Sequence, residues 1–297
     1  MATKKGLRLN WLDIVVLSLI VAAVVYVAYR VNSVLRYEWG WSTIPGYILR
    51  YDEDEQRWVS NLLLHGFMTT IRLSIWASVL AAIVGVALGL CRTSHNMFLR
   101  MVGRAYVELI RNIPPLVFLF IFYFFISSQI MPLFNLDGLM RDASPATTSI
   151  VSFLFGPPKL LDNFVGGLIA LAMFEAAYVA EIVRAGVQSI DRGQWEAAQA
   201  AGLSRLDVLR FVILPQAIKR VVPPLANQFI SLIKDSSIIS LISIQELTFM
   251  AQDVIIATNR LFEVWIVTAG FYFVICFGFS LAFSRLEKRM RVDSEQV

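Results

Sequence analysis

The sequence predicts an all-α membrane protein that crosses the bilayer six times. Composition is the first reason. Of 297 residues, 57% are hydrophobic and only 16% are charged, against about 25% charged in a soluble domain, and mean hydropathy is +0.65. The second reason is how the apolar residues cluster. Six runs approach or exceed the roughly 20 apolar residues a spanning helix needs: about 11–31, 67–91, 113–134, 165–189, 217–246 and 262–285. The third is an uneven distribution of Lys and Arg between the loops that alternate along such a chain.

The first run follows Lys4, Lys5 and Arg8, as a signal peptide would. Its apolar stretch from Trp11 to Tyr29 is long for a signal peptide, and no small-residue cleavage pattern precedes Arg30, so an uncleaved anchor is expected. A polar connection with the acidic cluster Asp52-Glu53-Asp54-Glu55 leads to the second run, near whose outer end Arg72 is expected to snorkel. Asn112-Ile113-Pro114-Pro115 opens the third run, where Pro suits the first helical turn. Phe118, Phe120, Phe122, Tyr123, Phe124 and Phe125 then cover every face of the helix, which suits lipid and helix packing. The connection from Asn135 to Phe164 is long, and long ordered connections are often functional. In the fifth run Pro223 and Pro224 remove backbone donors and are expected to bend the helix. The tail after Met290 is polar.

With both termini placed in the cytoplasm, seventeen Lys and Arg fall in inside segments and seven in outside segments. That satisfies the positive-inside rule. The net charge of +4 is thereby accounted for by membrane orientation, and no basic tract with interleaved aromatics points to nucleic acid. Cys91 and Cys276 stand alone, as do His65 and His95, so no metal spacing is present. No Gly-x-x-x-x-Gly-Lys-Ser/Thr occurs, so ATP binding by a P-loop in this chain is excluded. Neither a cofactor nor a catalytic constellation is expected, and the chain does not read as an enzyme.

One polar island interrupts this apolar sequence on the inside. Gln194 to Ala201 is nearly all strong helix formers, and Gly202 stands where a helix takes a left-handed C′ residue. Ser204 with Asp207 three residues on makes a capping-box pattern, and Leu214-Pro215 follows. The spacing Glu196-Ala197-Ala198, three residues, Gly202, nine residues, Val212, one residue, Leu214-Pro215 resembles the cytoplasmic loop motif of ABC importer membrane subunits. Val212 replaces the usual Ile. Further stretches resemble the polar amino-acid branch of these permeases: Tyr106 to Leu116, Ala177 to Arg184, Gly193 to Ala198, Leu214 to Ala217 and Lys234 to Ile238. Asn112-Ile113 departs from the usual Gly-Thr, as Ser236 and Ile238 depart from Thr and Leu.

The resemblance implies a five-helix permease core with one added N-terminal helix. It divides the chain into an anchor and outer loop at 1–60, the permease domain at 61–290 and a cytoplasmic tail at 291–297. It also implies a cytoplasmic coupling helix docked on a separate ATPase subunit, with Gly193, Glu196, Ala197, Ala198, Gly202, Leu214 and Pro215 as the coupling residues. The implied partners are two ATPases, a periplasmic solute-binding protein and a second permease subunit, identical or not, in the bacterial inner membrane. On their own physics, Ala197, Ala198, Ala200 and Ala201 make a low-profile surface, and Glu196 a charged anchor.

Charges at membrane depth cost about 2.5–3.5 kcal/mol each on insertion scales, so they face a protein interior or a pathway. Glu175 and Tyr178 lie on one side of the fourth run; Glu181 and Arg184, three apart, can pair. Glu181 is then either a pathway group or half of a helix-holding ion pair. Lys234-Asp235-Ser236-Ser237 interrupts the fifth run. Lys234 and Asp235 supply both signs needed for a zwitterionic amino acid, or else neutralise each other. The substrate-pathway candidates are therefore Glu175, Tyr178, Glu181, Lys234, Asp235, Ser236 and Ser237. A permease for another small solute, such as an opine, shares these features. An ion-coupled secondary transporter predicts paired broken helices in inverted repeats, which the sequence lacks.

Overall fold

The computed structural model describes residues 10–33, 37–54 and 56–292. Lys4, Lys5, Arg8, Arg36, Glu55 and the tail from 293 lie outside the described residues. By compactness the chain divides into Met1–Thr43 and Ile44–Val297. The first unit contains α1, Trp11–Ser33, an apolar 23-residue helix with no buried residue.

The second unit opens with α2 (Ile44–Ile48) and a two-stranded antiparallel hairpin, β1 (Leu49–Asp52) and β2 (Arg57–Ser60), with Leu49 opposite Ser60. The hairpin is a small local addition to the all-α architecture. Asp52 Oδ1 accepts from Asp54 N at 3.1 Å, closing a local turn, and Gln56 takes φ 48°. Tyr51 and Trp58 face each other across the strands, rings 5.7 Å apart, a stabilising cross-strand pair.

α3 (Leu62–Thr93) begins where Asn61 caps Leu62 N at 2.8 Å. Its 32 residues reach about 48 Å, enough to cross a hydrocarbon core of about 30 Å. Its buried positions include Gly66, Thr70, Ala77, Ala81, Gly85 and Gly89. Small residues let backbones approach without a cavity. A Cβ on Gly85 would stand 2.5 Å from Val179 Cβ and 2.9 Å from the Ala176 carbonyl oxygen. The partner is α9 (Leu161–Gln188), where Ala170, Ala172, Ala176, Ala177 and Ala180 are all buried. This pair is the core's centre, filled by Leu73, Leu171, Val179 and Val183.

Between them run α4 (Met97–Arg111), α5 (Pro115–Ile121), a π-helical turn Phe122–Ser127 and α6 (Ser128–Phe134). The stretch Pro115–Phe134 is one apolar span, ended by Asn135 at φ 46°. The long connection after Asn135 is ordered into α7 (Leu136–Arg141) and the apolar α8 (Pro145–Phe155). Ser144 caps α8, and Gly156 at φ 98° ends it. Arg72 does not merely snorkel. Its Nε donates to the Phe153 carbonyl at 2.8 Å, and Trp76 Nε1 to the Leu154 carbonyl at 3.1 Å. A cation at a helix C-terminus is favourable, so Arg72 and Trp76 pin α8 to α3.

After α10 (Arg192–Ala200) and the short α11 (Arg205–Asp207), a π turn Val208–Ile213 leads into α12 (Leu214–Asp235) and a 3-10 helix Ser236–Ile242. Helix then resumes as α13 (Leu247–Thr258) and α14 (Leu261–Val292). The fifth span differs from expectation. Helix continues through Pro223 and Pro224, and the bend of 51° comes after Ile242 instead. There Ser243 takes φ 63° and Glu246 caps α13, accepting from Phe249 N at 2.9 Å. The other oxygen, Glu246 Oε2, accepts from Tyr272 OH at 2.7 Å and Thr70 Oγ1 at 3.3 Å, tying α3, α13 and α14 together. Among the described residues five helices are long and apolar enough to span, and the bent pair Arg205–Ile242 with Leu247–Thr258 brings the number to six when it is taken as one span.

Candidate functional site

The polar island folds as a helix held at both ends. Asp191 caps α10, its Oδ1 accepting from Gly193 N at 2.7 Å, so the helix starts two residues before Gln194. At the other end Gly202 N donates to Gln199 O at 2.9 Å and Leu203 N to Ala198 O at 3.3 Å. This is the Schellman pairing, and it requires the left-handed φ of 81° that Gly202 adopts. Ser204 Oγ accepts from Asp207 N at 3.3 Å and donates to Asp207 Oδ2 at 2.6 Å, starting the next helix as its sequence predicts. Pro215 has no donor for an intrahelical bond, and the π turn lies immediately before it.

Glu196, Ala197, Ala200 and Ala201 are exposed, as a docking surface requires. Ala198 is not part of that surface. It is 7% exposed and packs into a cluster with Val187, Val208, Ile213 and Ala217, so it seats the helix rather than presenting it. Leu214 is half-buried and Pro215 exposed. Two further ties join α10 and its approach to α12. Gln216 Nε2 donates to Gln194 Oε1 at 3.1 Å, and Arg220 donates to the Ser189 carbonyl. Short, specific contacts therefore connect α10 and its approach to α12.

The second group of charges lies deeper. Glu175 is fully buried, and Oε2 accepts from Gln228 Nε2 of α12 at 2.7 Å. Its Oε1 has no protein donor, and the Asp235 carboxyl is its neighbour. Ser78 Oγ, also without a partner, lines a cavity of about 140 Å³ beside Glu175 and Gln228. Asp235 thus turns towards Glu175, while Lys234 is exposed. Ser236 is buried and donates to Ile233 O, and Ser237 Oγ donates to Lys234 O at 2.6 Å. These two hydroxyls serve the local backbone at the switch from α to 3-10 helix.

Glu181 sits apart from this cavity. It is ion-paired with Arg92 of α3 and Arg184 of its own helix, and Arg111 Nη1 of α4 is 3.7 Å away. Arg111 also stands over the Tyr178 ring at 5.5 Å. The paired charges hold three helices together. The sequence brings Glu181 and Arg184 to one face by their spacing of three. Arg92, Arg111 and Gln228 are partners from distant segments that no local signal announces.

Residues 75–292 match the family described as binding-protein-dependent transport system inner membrane component. The match spans more than half the chain and includes both groups of residues. The chain belongs to that family. It is similar, at 36% identity over 230 residues, to the probable glutamine ABC transporter permease protein GlnM of Bacillus subtilis, covering 77% of this chain and 94% of that one. It is 32% identical over 231 residues to the glutamine transport system permease protein GlnP of Escherichia coli K12, covering 78% and 94%. A solved amino acid ABC transporter with histidines aligns with a TM-score of 0.61 at 34% identity, covering 77% of this chain and 94% of that chain.

This permease is therefore an inner-membrane component, and its family implies an ATPase and a substrate-binding protein as partners. One further feature of the permease bears on assembly. Arg220, Asn227 and Lys234 recur every seven residues along α12 and are all exposed. Seven residues are about two helical turns, so the three share one face. Polar side chains on a spanning helix are costly against lipid and usually face protein or water.

Proposed function

We propose that this permease imports polar amino acids, glutamine foremost, by ATP-driven transport, with α10 as the coupling helix on the ATPase. The observation that carries the substrate class is the buried Glu175 with its donor-free oxygen beside Asp235 and Gln228. Two carboxyl groups that share one proton keep a negative charge beside the cavity and attract an ammonium group, and the Gln228 amide adds a donor and an acceptor for a polar side chain. Gly193, Glu196, Ala197 and Gly202 present and aim the docking surface, and Ala198, Leu214 and Pro215 seat it. Glu175 and Asp235 with Tyr178, Glu181, Lys234, Ser236 and Ser237 belong to the pathway or to the helix switch that shapes it. The face carrying Arg220, Asn227 and Lys234 is covered by a second permease subunit, the two copies enclosing a wet pathway. Both termini lie in the cytoplasm, with 61–290 as the permease domain and 1–60 an anchor and outer segment.

The test is uptake of radiolabelled glutamine into liposomes holding the permease, its ATPase and its binding protein. Uptake that needs ATP and all three components is expected. Uptake by the permease alone, driven by an ion gradient, overturns the reading.

A further inference from the structure

We propose that a groove along α4 holds the phosphate headgroup of an anionic phospholipid. The inference uses the membrane placement of the chain and is independent of which solute it carries. α4 has three distinct arcs. Gly103, Val107 and Ile110 are buried and face the protein. A Cβ on Gly103 would meet Arg92 Cγ at 2.8 Å and the Leu88 carbonyl oxygen at 3.1 Å, so α4 crosses closely over the end of α3. The second arc is apolar yet open: Phe98 is 70% exposed, Val102 47% and Leu109 64%. At the end of a membrane-spanning helix that arc finds hydrocarbon, and an amphipathic helix lying at the boundary of headgroups and acyl chains has this pattern.

The third arc carries Arg100 and Arg104 one turn apart. With Arg92 from α3 and Arg184 from α9 they line a groove of about 420 Å³ whose apolar lining is Met97 and Met101. Its charge is unbalanced. Arg104 pairs with Glu108 at 2.6 Å, and Arg92 and Arg184 share Glu181 behind the groove. Among the described residues Arg100 has no carboxylate partner. Four guanidinium groups against two carboxylates, Glu108 and Glu181, leave an excess of positive charge that favours an anion with several oxygens, because each guanidinium donates in a planar fork that matches phosphate. A basic pocket between spanning helices, continuous with an open apolar arc, suits a lipid that carries both the phosphate and the chains.

The test uses the permease assembled with its ATPase in nanodiscs of equal phosphatidylglycerol and phosphatidylcholine, with retained lipid counted by native mass spectrometry. Wild type is expected to retain phosphatidylglycerol preferentially. Arg100→Gln/Arg104→Gln removes two charges worth about fivefold each, so retention should fall roughly twenty-five-fold. Arg100→Lys/Arg104→Lys should keep most of it. Arg100→Gln alone breaks no ion pair within the chain, and it should still lower retention about fivefold. Equal retention of the two lipids by wild type overturns the proposal. So does unchanged lipid retention in the Gln variants together with release of the ATPase, which would assign the groove to a protein partner instead.

Discussion

Gly202→Val isolates the role of the left-handed turn after α10, the proposed coupling helix. Gly202 holds φ 81°, and a Cβ there meets nothing within 4 Å. The Cβ itself therefore meets no neighbour, and the cost set by φ is backbone strain. An L-residue in the left-handed region costs about 1–2 kcal/mol, and a β-branched residue is among the worst there. If the chain escapes the strain by changing φ, it gives up the bonds Gly202 N to Gln199 O and Leu203 N to Ala198 O. Each contributes about 0.5–1.5 kcal/mol net. Either route amounts to roughly 1–3 kcal/mol, below the 5–15 kcal/mol stability of an ordinary domain. The variant should therefore insert and fold, with α10 re-aimed. The assay is co-purification of the ATPase together with solute-stimulated ATP hydrolysis in liposomes. Gly202→Ala should show a smaller loss of both. A Gly202→Val chain that binds the ATPase fully and remains coupled would refute the reasoning.

Three other substitutions test separate parts of the account. Gly85→Val forces a branched side chain against Val179 and the Ala176 carbonyl; a cost of about 1–3 kcal/mol or more should show as lowered thermal stability in detergent. Glu246→Ala leaves Phe249 N, Tyr272 OH and Thr70 Oγ1 without their acceptor, at about 1–3 kcal/mol for each buried donor, and Glu246→Gln should lose less in the same thermal measurement. Glu175→Gln combined with Asp235→Asn should reduce glutamine uptake at least tenfold while assembly with the ATPase, followed by gel filtration, is unchanged.

What the sequence reveals divides along contact range. The Gly202 turn, the Ser204 cap and the pairing of Glu181 with Arg184 are local, set by residues within five positions of one another, and all three occur. Five of the six apolar runs likewise become helices long and apolar enough to span, and the remaining run falls in the bent pair, because length and hydropathy alone decide them. Features set by distant segments were not legible. Arg72 meets the end of α8 across 81 positions, and Gln228 meets Glu175 across 53. Ala198 is buried because the π turn folds back over it, which a run of alanines does not disclose. The fifth span bends at Ser243 rather than at Pro223 and Pro224. The prolines free carbonyls at Lys219 and Arg220, which are exposed residues, and freed carbonyls near a polar environment are readily satisfied. At Ser243 a left-handed residue turns the chain outright, and Glu246 restarts the helix.

The placement of α10 against the ATPase carries the account, and one cross-link tests it most directly. Glu196→Cys in a chain with Cys91 and Cys276 replaced by Ser provides a single exposed thiol on α10. A bifunctional thiol reagent should join it to the ATPase in inner-membrane vesicles, with the yield changing on ATP addition. Labelling of that thiol by a membrane-impermeant reagent from the periplasmic side, with no cross-link to the ATPase, would contradict the assignment.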